Sequence, residues 1–270
     1  MLGQCGCGRT TARGGAGYGP EHMTLISSVS EQAVQWPSDG FTINGFLTCP
    51  ASGEPNGGAR PDASSRQAAA VVILHEWWGL NDHMKDLARR FAGAGFVALA
   101  PDLYSRAGSK VTKDAAEAAK LMDALSSQAV LRDLNAATKF LKAQPFVDPL
   151  RIGVVGFCMG GTFALTQAAH NSDLKAAVPF YGKVPPVETL DYLLCPVLYH
   201  YGAKDGWVTK QEVDRLAQGL QQFRKPGAVH VYPEAGHAFF NDTRPEVYRA
   251  ADAALAWERT LQFLANMGSE

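Results

Sequence analysis

Residues Arg151–Gly160 have the sequence RIGVVGFCMG, an apolar run that ends in a turn of the form Gly-x-Cys-x-Gly. In such a turn a strand passes sharply into a helix, and the residue between the two glycines presents its side chain from a strained backbone. Glycine on both sides lets the strand and the helix approach each other closely. Cys158 would then stand at a helix N-terminus, where unpaired amides and the helix dipole favour a thiolate. The alternative is a cysteine that only packs, since free cysteine is among the most buried residue types.

Two polar residues further along the chain also follow strand-like runs. Asp205 comes after the apolar run Cys195–Tyr201, and His237 comes after Val229–Pro233. A lone Asp in such a place usually belongs to a turn or a helix cap. In the α/β-hydrolase fold, however, the acid and the histidine of a catalytic triad follow the nucleophile in this order, each at the C-terminal end of a later strand. The sequence therefore predicts a triad of Cys158, Asp205 and His237.

The same fold predicts two backbone amides that stabilise an oxyanion. One is the amide of Met159, directly after the nucleophile. The other lies in the turn after an earlier strand, and here the run Val71–Leu74 ends at His75. The second amide is therefore expected at Trp77.

Together these motifs resemble the dienelactone hydrolase (carboxymethylenebutenolidase) family of α/β-hydrolases. The matching segments keep the family's order over about residues 25 to 265: HEWWG at 75–79, APDLY at 100–104, GFCMGG at 156–161, FYG at 180–182, GAKD at 202–205 and EAGHAF at 234–239. Cys158 together with Glu76 is specific, since serine hydrolases of this fold generally have neither. The resemblance implies an enzyme that hydrolyses a lactone or an activated carboxylic ester.

The resemblance also implies roles for residues around the triad. In the family, the glutamate at the position of Glu76 contacts the resting thiol, and substrate binding moves it so that it helps to generate the thiolate. Two arginines bind the substrate carboxylate. Arg106 occupies the position of the first, but Asn241 stands at the position of the second. An uncharged amide cannot form a bidentate clamp on a carboxylate, so the sequence predicts a weak preference for anionic lactones.

Four aromatic residues have two possible interpretations. Trp77 and Trp78 stand where the family often has smaller apolar residues, and they suggest a bulkier, more aromatic pocket wall, although core packing is the alternative. Tyr104 and Tyr181 either line the site or pack. With these alternatives open, the predicted substrate-binding residues are Arg106, Tyr104, Tyr181, Trp78 and Asn241.

The predicted reaction uses His237 as a general base that Asp205 orients. A thiol with an ordinary pKa of about 8.5 is mostly protonated at neutral pH, so it needs such a base. The thiolate of Cys158 attacks the carbonyl, and water then hydrolyses the resulting acyl-thioester; no metal or organic cofactor is required. One alternative is a thioesterase or aryl-ester hydrolase of the same fold. The other is a non-enzymatic redox-sensing thiol, which a complete triad disfavours.

Composition limits the partners and the compartment. The chain has 270 residues and a formal net charge of −1, so it lacks the excess of basic residues that would bind nucleic acid or an anionic membrane surface. No run approaches the roughly 18 apolar residues of a membrane-spanning helix. Its five cysteines show no disulfide-like spacing, which favours a reducing cytoplasm. The expected partner is a small-molecule substrate, and the expected assembly is a monomer or a homodimer.

The chain is predicted to contain one domain. Residues 1–23 are expected to be a flexible N-terminal extension, residues 24–270 the hydrolase domain, and the Gly, Pro, Ser and Asn-rich stretch from Pro50 to Ser65 a loop. Continuous apolar strands separated by helical stretches predict a mostly parallel sheet covered by helices on both faces. The predicted strands are Phe41–Leu47, Val71–Leu74, Phe96–Ala100, Ile152–Val155, Ala176–Phe180, Val197–Tyr201 and Val229–Tyr232. Amphipathic helices are predicted at about Asp82–Ala94, Val130–Ala143 and Pro245–Asn266.

Overall fold

The computed structural model describes residues 29–50 and 67–268 of the chain. The predicted N-terminal extension over residues 1–23 lies outside the described residues, and so does the predicted loop beyond Pro50. Among the described residues, no helix is both long and apolar enough to cross a membrane.

A single eight-stranded sheet forms the centre of the molecule. Its strands are β1 Ser30–Ser38, β2 Phe41–Cys49, β3 Ala68–Leu74, β4 Val97–Pro101, β5 Val147–Phe157, β6 Leu174–Phe180, β7 Val197–Gly202 and β8 Gly227–Tyr232. They lie in the order β1-β2-β4-β3-β5-β6-β7-β8. β2 pairs antiparallel with β1 and β4, and every other neighbouring pair is parallel. The predicted mostly parallel sheet is confirmed.

The described residues also form six α-helices. They are α1 Asp82–Gly93, α2 Ala115–Asp123, α3 Ser127–Lys142, α4 Met159–Ala168, α5 Lys210–Gln222 and α6 Ala250–Ala265. The central strands are buried at consecutive positions rather than at alternate ones, as β3 and β4 show. Since consecutive strand residues point to opposite faces, helices must cover both faces. This is the single-domain α/β-hydrolase architecture expected from the sequence.

Capping residues explain where the helices begin. Asn81 accepts a hydrogen bond from the third residue of α1, and α1 follows the predicted span closely. Ser126 caps α3 in the same way, so α3 starts three residues before the predicted Val130. The last helix begins at Ala250 rather than at Pro245, because the preceding segment forms turns and the amide of Arg249 donates to the carbonyl of Phe239.

β1 is the strand that hydrophobic patterning did not predict. Its sequence SEQAVQWPS is largely polar, and most of its residues are exposed or half-buried, as expected for a strand at the sheet edge. Trp36 is its anchor, being only 4% exposed and stacked on Phe140 of α3.

Strand register brings the functional turns to one edge of the sheet. Leu74 at the end of β3 lies opposite Gly156 of β5, and Gly202 at the end of β7 lies opposite Tyr232 of β8. The turns that follow these strands therefore project from the same side, where ligands bind in parallel α/β sheets.

Candidate active site

Cys158 occupies a sharp turn between β5 and α4. Its φ is 54° and its ψ is −118°, a conformation that non-glycine residues rarely adopt and that costs about 1–3 kcal/mol. The flanking glycines are required by close contact. A Cβ at Gly156 would overlap the carbonyl oxygen of Gly160, and a Cβ at Gly160 would overlap that of Leu74. The turn predicted from Gly-x-Cys-x-Gly is thus present at Cys158.

The thiol of Cys158 is buried among groups with opposite effects on its ionisation. Burial raises its pKa most, and the negative charge of Glu76 raises it further. The backbone amides of Met159 and Trp77 act in the other direction, because both are directed at the sulfur and stabilise the thiolate. The net effect is a pKa well above the ordinary value, so the resting thiol is protonated at neutral pH.

Asp205 and His237 form a pair at the ends of β7 and β8. His237 Nδ1 lies 2.8 Å from Asp205 Oδ2, and the other carboxylate oxygen accepts from the amides of Trp207 at 2.7 Å and Val208 at 2.8 Å. The carboxylate side chain is fully buried, whereas the imidazole is 25% exposed. Because a carboxylate only accepts, Nδ1 carries the proton and Nε2 is left free as an acceptor.

Cys158 and His237 line the same cavity, but within the described part of the chain no hydrogen bond joins them. The sulfur instead faces the two amides described above. Hydrogen bonds between catalytic groups are often long or poorly aligned until substrate binds. A hydrogen bond from the thiol to the imidazole would require the thiol to turn away from the amides.

Glu76 is 2% exposed and is held by two neutral donors. Asn241 Nδ2 donates to Oε2 at 2.8 Å, and the Tyr181 hydroxyl donates to Oε1 at 3.4 Å. Burial and the charge of Glu76 together keep the pKa of Tyr181 well above its ordinary value, so this hydroxyl remains a donor. Asn241, predicted to contact substrate, therefore contacts Glu76 and is itself only 1% exposed.

Arg106 is the predicted substrate ligand that the structure keeps away from the cavity. Its guanidinium forms two hydrogen bonds with the carboxylate of Asp133 on α3, both 2.8 Å long. Its outer face stacks 4.1 Å from the centre of the Phe41 ring. The Nε and Nη2 edge of the guanidinium is thus occupied by a carboxylate, and Arg106 is not among the residues that line the cavity.

Of the three predicted aromatic ligands, only Trp78 lines the cavity. Tyr104 is fully buried beneath the turn after β3, and its hydroxyl donates to the carbonyl of Trp77 at 2.9 Å. Tyr181 is 1% exposed and lies against the imidazole of His237, with ring centres 5.1 Å apart. Both tyrosines therefore contact residues of the cavity wall without lining the cavity themselves.

The cavity has a volume of about 300 Å³ and a strongly aromatic lining. Its apolar walls come from Trp77, Trp78, Met122 and Trp207, and its polar groups come from Glu76, Cys158, His237 and Arg244. A larger groove of about 640 Å³ lies alongside and shares Trp78 and Arg244 with it. These two shared residues separate the two spaces.

Five lining residues were not among the predicted site residues: Met122, Gly206, Trp207, Ala238 and Arg244. Gly206 and Ala238 directly follow Asp205 and His237. Trp207 follows Asp205 by two residues, and that spacing was the only available signal for it. Met122 lies on α2, for which no motif exists. Among the described residues, Arg244 is the one Arg or Lys in the cavity lining. Its guanidinium carbon lies 5.7 Å from the centre of the Trp78 ring, and its Nε donates to Glu246 at 2.8 Å. Its position comes from a turn in which its amide donates to the carbonyl of Asn241.

Comparisons with known proteins agree with this architecture. The sequence profile of the dienelactone hydrolase family matches residues 58–268. The Escherichia coli (strain K12) protein named "Putative carboxymethylenebutenolidase" is 33% identical over 271 aligned residues, covering 94% of this chain and 97% of that protein. A Bradyrhizobium sp protein named "Probable 2-oxo-3-(5-oxofuran-2-ylidene)propanoate lactonase" is 33% identical over 217 residues, covering 76% of this chain and 86% of that protein. The crystal structure titled "Putative Dienelactone Hydrolase" from Klebsiella pneumoniae superposes with a TM-score of 0.77 at 31% identity, covering 88% of this chain and 99% of that one.

Proposed function

The chain belongs to the dienelactone hydrolase family and is a lactone or ester hydrolase, and on that premise we propose that it works through Cys158, His237 and Asp205. Cys158 is the nucleophile, His237 the general base, and Asp205 the group that orients the base. The reaction passes through an acyl-thioester, and neither a metal ion nor an organic cofactor takes part.

One observation carries the proposal. A strained turn presents Cys158 to a cavity that also contains a histidine whose free nitrogen is fixed as an acceptor by a buried aspartate. Two backbone amides converge on the sulfur from different turns. A structural cysteine needs neither the oriented imidazole nor the paired amides, so the arrangement supports catalysis over simple packing.

The first half of the reaction forms the acyl-enzyme. The thiol turns toward His237 Nε2 and transfers its proton there as the sulfur attacks the carbonyl carbon. The carbonyl oxygen, now negative, takes the place of the sulfur in front of the amides of Met159 and Trp77. When the C–O bond breaks, the imidazolium returns its proton to the departing oxygen. In a lactone this step opens the ring, and the released hydroxyl stays on the acyl group.

The second half regenerates the thiol. Water approaches the thioester, gives a proton to His237 Nε2 and adds to the carbonyl carbon. The same two amides stabilise the second oxyanion. Collapse expels the sulfur of Cys158, which takes the proton back from the imidazolium, and the carboxylic acid leaves.

The cavity lining suggests the substrate class. Three indole rings favour a planar acyl group, either an unsaturated lactone or an aryl ester. Arg244 supplies one cation at the boundary of the cavity, so a substrate with one carboxylate fits, although without a two-arginine clamp. The Bradyrhizobium relative is named as a lactonase for a carboxylate of this planar kind, which supports the same class here.

A reducing compartment suits this chemistry. Cys49, Cys158 and Cys195 are all free and buried, and a nucleophilic thiol must stay reduced to work. We therefore place the proposed activity in the cytoplasm, with a small-molecule ester or lactone as the partner.

Trapping the acyl-enzyme tests the proposal. Wild-type protein is mixed with an aryl ester, quenched in acid and digested, and mass spectrometry should find the acyl group on Cys158. Cys158→Ala should lose at least about a thousandfold in kcat, as deletion of a triad nucleophile does elsewhere. Cys195→Ala, which removes a buried thiol distant from the motif, is the matched control and should keep its activity. Wild-type turnover by Cys158→Ala would refute the assignment.

A further inference from the structure

Two buried side chains form hydrogen bonds to the turn that follows β3. The proposed reaction does not use either of them directly. His75 and Tyr104 are both fully buried, and their ring centres lie 5.2 Å apart. Neither lines the catalytic cavity. Both nevertheless form hydrogen bonds to the main chain on either side of Trp77, whose amide faces the thiol.

His75 holds the peptide group that carries this amide. Its Nδ1 lies 2.5 Å from the carbonyl oxygen of Glu76, and its Nε2 accepts from the amide of Leu103 at 3.0 Å. Because Nε2 accepts from this amide, it carries no proton, so the ring proton is on Nδ1 and is donated to the Glu76 carbonyl. The Leu103 amide thus selects the tautomer that His75 needs.

That carbonyl and the amide of Trp77 belong to one planar peptide group. Since the peptide bond does not rotate freely, a hydrogen bond that fixes the direction of the C=O also fixes the opposite direction of the N–H. The other bond to the Glu76 carbonyl comes from the amide of Gly79 and is long, at 3.3 Å. His75 is therefore the main restraint on where the Trp77 amide points.

Tyr104 restrains the next peptide group. Its hydroxyl donates to the carbonyl of Trp77 at 2.9 Å and also lies 3.6 Å from the sulfur of Met159. It therefore contacts both residues whose amides face the thiol. With the carbonyls before and after the Trp77 Cα both held, neither flanking peptide can turn independently.

We infer that His75 and Tyr104 are positioning residues for the oxyanion hole, acting by aiming the Trp77 amide at the substrate oxygen. This inference rests on the proposed function, because it requires an oxyanion at that place. Removing one oxyanion donor typically costs about 10²–10³ in kcat. A donor that is present but poorly aimed should cost less, about tenfold to a hundredfold.

Three variants of the full chain test the inference. His75→Leu removes both hydrogen bonds of the ring, whereas His75→Asn restores a donor close to the position of Nδ1. Tyr104→Phe removes only the hydroxyl and keeps the buried volume, so it remains informative if the leucine variant folds poorly. The readouts are kcat and KM for an aryl ester, the Ki of a trifluoromethyl ketone, and the Ki of the product acid. The ketone forms a thiol adduct with its oxygen in the oxyanion position, and the acid does not.

His75→Leu should lower kcat by about tenfold to a hundredfold and raise the ketone Ki by a similar factor. The product-acid Ki and KM should change little, because ground-state binding does not need the oriented amide. His75→Asn should recover most of the loss, and Tyr104→Phe should show the same pattern more weakly. Equal losses of product-acid and ketone binding would show a general structural role and overturn the inference, as would an unchanged kcat in His75→Leu.

The result is separable from failure of the proposed function. If Cys158→Ala stays active, the nucleophile assignment is wrong and the oxyanion reasoning falls with it. If Cys158→Ala is inactive while His75→Leu and Tyr104→Phe match wild type, the triad stands and only the positioning role is refuted.

Discussion

Asp205→Asn is the substitution that separates chemistry from folding most cleanly at this site. The aspartate accepts two backbone amides through Oδ1 and the imidazole of His237 through Oδ2. Asparagine has the same shape, so its oxygen can keep both amide bonds. Its NH₂ group then takes the place of Oδ2 and faces Nδ1 of the imidazole.

The consequence is an inverted tautomer. Two donors cannot face each other, so the imidazole of His237 moves its proton to Nε2 and lets Nδ1 accept from the new NH₂ group. Nε2 then cannot take the thiol proton. The same change in a serine triad lowers kcat by about 10⁴, which is roughly 5.5 kcal/mol of transition-state stabilisation. Stability should fall by only about 1–2 kcal/mol, because the number of hydrogen bonds is kept and only their charge assistance is lost.

The assay is aryl-ester hydrolysis measured beside thermal unfolding. The matched control is Asp214→Asn on the exposed face of α5, where the carboxylate pairs with Lys210. It makes the same chemical change and should leave kcat and Tm near wild type. A kcat within tenfold of wild type for folded Asp205→Asn would refute the tautomer argument and the role of Asp205 in the triad.

Two further predictions concern charge in the cavity. Glu76→Gln should lower the pKa of Cys158, because the charge of Glu76 is among the main causes that raise it. The larger thiolate fraction should speed iodoacetamide alkylation at pH 8 by about tenfold, and an unchanged rate would show that the charge of Glu76 does not affect ionisation of the thiol. Arg244→Gln should reduce the kcat/KM ratio of a carboxylated lactone to its methyl ester by about tenfold to a hundredfold, the effect of one charge-assisted contact. Arg106→Gln serves as its control and should leave the ratio unchanged, so a larger effect at Arg106 would contradict the assignment of the cation.

The sequence predicted the fold because its decisive features are local. A glycine-flanked cysteine between a strand and a helix specifies the turn at Cys158. The order of Asp205 and His237 behind later apolar strands then limits the topology to one fold. β1 was missed for the opposite reason, since an edge strand exposed to water needs little apolar sequence, and Trp36 anchors it through a contact with a distant helix.

The substrate-binding residues could not be predicted in the same way. Arg106 keeps the sequence position of a carboxylate ligand, but its geometry depends on Asp133, 27 residues away on another element. Nothing near Arg106 in the chain signals that pair. The cation of the cavity is instead Arg244, which reaches it through a turn starting at Asn241. Long-range pairing decides which cation is available, and patterns within one segment carry no information about it.

The two amides that face the thiol belong to the main chain, and their separation follows from the ladder between β3 and β5, in which Leu74 lies opposite Gly156. Trp77 thus combines an N–H that faces the thiol with an indole that lines the cavity. Mutations that change the side chains of Trp77 and Trp78 alter which acyl groups fit and leave the backbone donors in place. If the two amides are the oxyanion donors that we propose, the acyl specificity of this turn can therefore change through its side chains while the catalytic donors are kept.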